Sequence, residues 1–403
     1  FLLTDPAEGG DAAEIPVAIA AASAPPRDSA NGALAGEPAT DQSYLQHPAI
    51  ELVDAVLAQL RPHLEAILAS ADPRTGPLAP LLSPLVGKAF LQFGAKVART
   101  YLMPDEAVVS VLPPVLLAKW GRGTAGGEAL LIALAEAAAI FTLRWRGEEE
   151  LALAGCELLA ATCRRKGAAP LLGRLDCINQ LASMPKSILT PSAAAMLHEA
   201  LARVALASAQ PEQAFGGLCE PLAVTLEESF AIATGTGRAA TLHPQTVAQV
   251  HGACAGLRGL FAAPSRHTTV LVFSRAARCF QPMLNLFRML ETEPTALTPV
   301  LLTFQDAAAT WMPTLPLPSA LHLAQACAAA ATAYAAIVRA LPPPRAGGTA
   351  GVLPEIERCD QLRALLEMTT CVVLRDPNDD TLGEGAQVVS AAAAAAAAHL
   401  SEA

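Results

Sequence analysis

From about Tyr44 to Leu400, apolar positions recur every three or four residues in stretch after stretch, and Pro or Gly cuts the pattern at short intervals. That spacing predicts amphipathic helices joined by turns, and no stretch carries a convincing period of two to suggest a strand. The first helix is marked by Val53, Leu57, Leu60, Leu64 and Leu68, with Pro62 expected to kink it. The turn Asp72-Pro73-Arg74-Thr75-Gly76-Pro77 ends it, and a second, antiparallel helix is expected from about Leu81 to Leu102.

The same grammar continues through breakers at Pro104, Gly121 to Gly127, Gly147, Gly167 to Pro170, Pro185 to Pro191, Pro211, Gly235 to Pro244, Pro264, Pro294, Pro313 to Pro318, Pro342 to Pro354 and Pro377 to Gly383. Between them the pattern predicts roughly fourteen helices of two to seven turns with short connections. Later pairs begin near Pro211, His267 and Ser319, a spacing of a little over about 50 residues against the usual 40 to 47 of a HEAT unit. The expected fold is therefore all-α: a right-handed α-solenoid of HEAT-like antiparallel helix pairs over residues 42–403, incomplete at both ends. Residues 1–41 are rich in Ala, Pro, Gly, Asp and Glu without a helical period, and read as a disordered linker or loop insertion. In the helix expected from His267 to Leu290, Leu271, Ala276, Phe280, Leu284 and Phe287 are the core candidates, while Arg275, Arg278 and Arg288 snorkel or face water.

Composition narrows the functional classes. Hydrophobic residues make up 53% of the chain but aromatics only 4%, so the core has to be built from Leu, Ala and Val, which suits closely packed helices. The net charge of −10 repels phosphate backbones and attracts basic protein surfaces, which argues against nucleic acid as a direct partner. Nine scattered cysteines with no Cys-x-x-Cys and no glycosylation sequon favour a reducing compartment. Ser319 to Val338 is uncharged and long enough to span a bilayer, yet it is mostly Ala, contains His322 and Gln325, and reads better as a buried helix than as a membrane segment. A chain that begins at Phe1 rather than Met reads as a fragment.

No chemistry-bearing motif survives inspection. Gly235-Thr236-Gly237-Arg238-Ala239-Ala240 fits the relaxed dinucleotide fingerprint, but Leu226 to Thr234 before it reads as the end of a helix rather than a strand, so Gly235 is better explained as a C-terminal cap. The eight histidines never pair at helical spacing around a carboxylate, and Cys156 with Cys163 would share a helix face without making a metal site. Glu148-Glu149-Glu150 is expected at a helix start, where carboxylates suit the helix dipole, and Asp376, Asp379 and Asp380 in a solvated loop. Catalytic, cofactor-binding and metal-ligating residues are therefore none, no cofactor is expected, and the chain is not expected to be an enzyme. Composition and pattern assign no partner-binding residues.

Two stretches carry a resemblance. The run Val97-Ala98-Arg99-Thr100-Tyr101-Leu102-Met103-Pro104-Asp105-Glu106 and the segment Ile178 to Pro191 resemble the exportin-4 type of importin-β-related nuclear transport receptors, with fainter similarity after Leu317-Pro318-Ser319 and through Leu362 to Leu374. The resemblance implies the middle to C-terminal part of a longer nuclear export receptor. Such receptors bind protein cargo together with the GTP-bound form of Ran, pass the nuclear pore through Phe-Gly nucleoporins, and shuttle between nucleus and cytoplasm without binding membranes. The resemblance also implies that the main Ran-binding repeats lie outside this chain. The alternative is a HEAT-repeat scaffold unrelated to nuclear transport.

Overall fold

A computed structural model describes residues 47–70, 83–145, 147–184, 189–235, 243–265, 267–287, 297–340 and 355–374. The segment 1–41, the turn at Asp72 to Pro77 and the acidic loop around Asp376 lie outside those residues. Among the described residues the protein is all-helical, with sixteen α-helices, one 3-10 segment and no strand. The roughly fourteen expected become sixteen among the described residues, which include two single turns that the apolar period cannot register, Glu106–Val109 and Ala168–Leu172, and one expected helix broken in two. Contacts divide the chain into two units, Phe1–Ile188 and Leu189–Ala403.

Many of the prolines that punctuate the sequence open helices rather than end them. Pro48, Pro84, Pro114, Pro191 and Pro244 sit in the first turn, where the missing N–H would have had no intrahelical acceptor anyway. The residue just before supplies the cap in several cases. Thr124 Oγ1 accepts from the Gly127 N–H at 3.0 Å and Thr190 Oγ1 from Ala193 at 3.4 Å. His47 and His243 do the same through Nδ1, each accepting from the amide two residues on at 3.2 Å.

In the first unit, α1 (Pro48–Ala69), α2 (Pro84–Thr100), α3 (Glu106–Val109), α4 (Pro114–Trp120), α5 (Ala125–Arg144), α6 (Glu149–Cys163), α7 (Ala168–Leu172) and α8 (Asp176–Ser183) surround α5. Helix α5 packs on α1, α2, α4, α6, α7 and α8, and is apolar on nearly every side for that reason. It is long and apolar enough to cross a membrane, as is Leu317–Arg339, but 56% of each such window is buried in the protein. The long helix α1 runs through Pro62, which is exposed. Its core stripe is Val53, Leu60 and Ile67 rather than the expected set, since Leu57 and Leu64 are half-buried and Leu68 is exposed. The helix expected over 81–102 is α2, shorter at both ends, and the chain beyond it turns inward. Tyr101, Leu102 and Met103 are buried there, with Met103 at φ 44° and its amide donating to the Trp120 carbonyl at 2.9 Å.

The second unit holds α9 (Pro191–Leu206), α10 (Pro211–Gly235), α11 (Pro244–Ala262), α12 (Thr269–Ala276), α13 (Phe280–Phe287), α14 (Leu297–Trp311), α15 (Leu317–Ala340) and α16 (Glu355–Val373). The helix expected from His267 to Leu290 is broken in two by a 3-10 segment at Ala277–Cys279. The buried face nevertheless keeps one helical stripe through that segment, and Leu271 and Leu284 stand at its two edges. Ala276, Phe280 and Phe287 are buried as expected, Leu271 and Leu284 are only partly so, and Val272, Phe273, Met283 and Leu286 fill the core. Arg275 and Arg278 face water as expected, and Arg288 lies outside the described residues.

Packing in this unit follows two rows. Helices α9, α11, α14 and α16 touch in succession, and α10, α12 with α13, and α15 form the other row. The first row starts at Pro191, Pro244, Leu297 and Glu355, a repeat of a little over about 50 residues. Between the rows lies a core of Phe261, Phe273, Phe280, Phe304 and Trp311, with Phe261 and Trp311 centroids 4.4 Å apart.

Polar ties join helices one repeat apart. In the first row Arg258 binds Asp306 at 2.6 Å, Arg203 donates to the Ala262 carbonyl at 2.9 Å, and Gln305 donates to Glu367 at 2.6 Å. The last helix is also held by a chain from Tyr334 to Gln361, Thr298 and Glu357. In the first unit, Lys88 binds Glu150 and Arg99 binds Glu157, each at 2.6 Å, tying α2 to α6. Solvent screens the exposed ion pairs among these, so they add little to stability, while the Tyr334–Gln361 bond is buried.

Candidate partner-binding grooves

Two open grooves stand out among the described residues. In the first unit a groove of about 510 Å³ runs between α1, α4 and α5, walled by Leu57, Ala58 and Leu64 from α1 and by Ala129 and Ala133 from α5. Charged groups stand around it: Arg61, Glu136, and Lys119, whose Nζ is 3.8 Å from Asp54. Leu57 and Leu64, expected in the core, are thus the wall of this groove.

The larger groove, about 860 Å³, lies in the second unit along the N-terminal half of α10 and the facing side of α12 and the 3-10 segment. Its walls carry two ion pairs, Glu212 with Arg275 and Glu220 with Arg278, joining second-row helices one repeat apart. Its floor is made by Gly216, Gly217 and Cys219. Burial pushes the Cys219 thiol well above its ordinary value, so it lines the floor as an uncharged group and offers no thiolate.

The two glycines explain the depth of the groove. No atom stands within 4 Å of where a Cβ would lie on Gly216 or Gly217. By contrast, a Cβ on Gly259 of α11 would lie 2.0 Å from the Ala195 carbonyl oxygen of α9. Gly259 is a close-approach residue, whereas Gly216 and Gly217 are packed against nothing. A glycine inside a helix costs about 1 kcal/mol relative to alanine. Gly217→Ala is therefore expected to raise stability by about 0.5–1 kcal/mol, read as a higher denaturant midpoint at unchanged slope; a drop in the midpoint would mean that something fills the groove.

The other residues singled out in the sequence are accounted for by packing and capping. Tyr101, Leu102 and Met103 form the buried turn after α2, and Tyr101 stacks near Trp120 at 6.2 Å. Ile178 and Leu181 are the buried positions of α8, Pro191 opens α9, and 185–188 lie outside the described residues. Gly235 is the last residue of α10, so the glycine-rich run does follow a helix; residues 236–242 lie outside the description. Glu148, Glu149 and Glu150 stand at the start of α6, and the hydrogen bond and charge of Lys88 hold the Glu150 carboxyl below its ordinary value. Six of the nine cysteines are buried, among them Cys156 and Cys163, and burial raises the Cys156 thiol to about 12. Among the described residues no three His, Cys, Asp or Glu side chains are grouped to hold a metal.

The grooves themselves left no mark in the apolar period. A groove wall and a core face are both apolar at helical spacing, and the only signal for the larger groove was an adjacent glycine pair in mid-helix. Compared with known proteins, the chain matches no family model and no curated protein sequence.

Proposed function

We propose that this chain is a stretch of right-handed HEAT-like α-solenoid that binds protein partners, as a segment of a nuclear export receptor of the importin-β-related, exportin-4-like kind. The observation that carries the solenoid is the two-row packing of the second unit, with its recurring step and its polar ties along the first row. Stacked pairs of this sort make extended surface rather than a reaction cleft, and long shallow grooves suit protein segments. The wording of the buried turn at Thr100 to Glu106 and of the stretch from Ile178 to Pro191 supports the receptor class. An acidic surface of net charge −10 favours basic cargo and disfavours nucleic acid.

In this reading the full-length receptor takes up cargo with Ran-GTP, contacts Phe-Gly nucleoporins in transit, and moves between nucleus and cytoplasm. Ran binding outside this chain biases the curvature of the stack and so its affinity for cargo, a coupling between two sites through one deformable element. Pull-down of cargo by the full-length protein with GTP-locked and with GDP-bound Ran tests it. Recovery several-fold higher with the GTP form is the expected result. Equal recovery with both forms sinks the transport reading and leaves a HEAT scaffold unrelated to transport.

A further inference from the structure

The groove on α10 continues into an exposed helix face of definite charge. Beyond Gly217 that face runs through Glu220, Val224, Glu227 and Glu228 to Ile232, all exposed, and Val224 and Ile232 are 37% and 51% accessible. Helix α10 contains four Glu and no Lys, Arg or His. Arg275 and Arg278 balance Glu212 and Glu220 at the groove itself, so the net negative charge falls on Glu227 and Glu228.

We propose that this surface seats an amphipathic, basic helix of a partner protein. The occupant lies along α10 with small apolar side chains over Gly216, Gly217 and Val224, and with Lys or Arg side chains reaching Glu227 and Glu228. Two adjacent glycines lower the floor by the height of a side chain, which brings two helix axes toward the short end of the 8–10 Å range. That accounts for glycines that no internal packing requires. Charge selects the occupant: a second copy of this chain carries −10 and is repelled, as is nucleic acid, whereas a basic helix is steered in. The proposal rests on the partner-binding reading above but does not need Ran.

The test is fluorescence anisotropy of a labelled amphipathic helical peptide of Ala, Leu and Lys, titrated with the whole chain at two salt concentrations. Gly217→Leu is expected to weaken binding about tenfold or more, with helicity kept because Leu is the better helix former. The double variant Glu227→Gln, Glu228→Gln is expected to weaken it about threefold to tenfold and to flatten the salt dependence. Gly252→Leu on α11, which also has open space above its Cβ position, is expected to leave the affinity unchanged. Circular dichroism of each variant separates lost binding from lost fold. Absence of binding to the native chain, equal binding by Gly217→Leu, or equal binding of a peptide with Glu in place of Lys overturns the proposal. If groove binding behaves as expected while cargo recovery ignores the nucleotide on Ran, the groove stands and the receptor class falls.

Discussion

Gly259→Ala is expected to destabilise the second unit by about 3 kcal/mol or more, at the upper end of what overpacking costs. The added Cβ would meet three backbone atoms of Ala195, the oxygen at 2.0 Å, the carbonyl carbon at 2.8 Å and Cα at 3.0 Å. Backbone inside a helix cannot swing aside as a side-chain end can, so α9 and α11 have to part along a contact that both rely on. For a unit of this size the loss corresponds to a fall in melting temperature of roughly 6–12 °C. Gly256→Ala, three residues earlier, meets only the ends of Leu222 and His198 at 3.0 and 3.1 Å and should cost clearly less. Thermal scans of the two variants beside Gly217→Ala should therefore rank them in that order, with Gly217→Ala on the stabilising side. If Gly259→Ala melts with the native protein, the close approach of α9 to α11 is wrong.

Phe280→Ala is expected to cost about 3–5 kcal/mol. The ring is 2% exposed and lies 5.5 Å from Phe304, 6.1 Å from Phe273 and 6.5 Å from the His322 ring, so its removal leaves a hole where the two rows meet. The surrounding rings come from three other helices and cannot all follow inward, which places the loss toward the top of the range. Because each helix touches mainly its neighbours, the damage should stay local. Native-state hydrogen exchange is expected to show lost protection in α12 to α15 with the first unit unchanged. Uniform loss across both units would contradict that independence.

Phe280 and Phe287 could be found in the sequence because they lie seven residues apart on one helical face, and that face survives the break before it. Leu271 falls one position off: it stands at the edge of the stripe that Val272, Phe273 and Ala276 fill, and an edge leucine looks like a core leucine in the apolar period. In α1 the reading failed for another reason. Val53 and Ile67 are core, but the half-buried Leu57 and Leu64 line a groove, and hydrophobicity cannot say which side of a wall a leucine is on. The all-helical class was legible because it depends on many repeated local signals. The glycines show the opposite case: Gly216 and Gly259 look alike as letters, and only the distance to Ala195 separates a packing residue from an open floor.

The ties along each row also bear on how the chain folds as it is made. Arg258 to Asp306 spans 48 residues, Arg278 to Glu220 spans 58 and Gln305 to Glu367 spans 62, all short against a chain of 403. Contacts of such limited reach close without waiting for distant sequence, which keeps the entropy of loop closure small and folding quick. At a synthesis rate of about 5–20 residues per second, each helix pair meets its successor within a few to about a dozen seconds of leaving the ribosome. An Ala- and Leu-rich chain built this way never holds much more than one repeat of bare apolar helix in solution, which protects it from aggregation during its own synthesis.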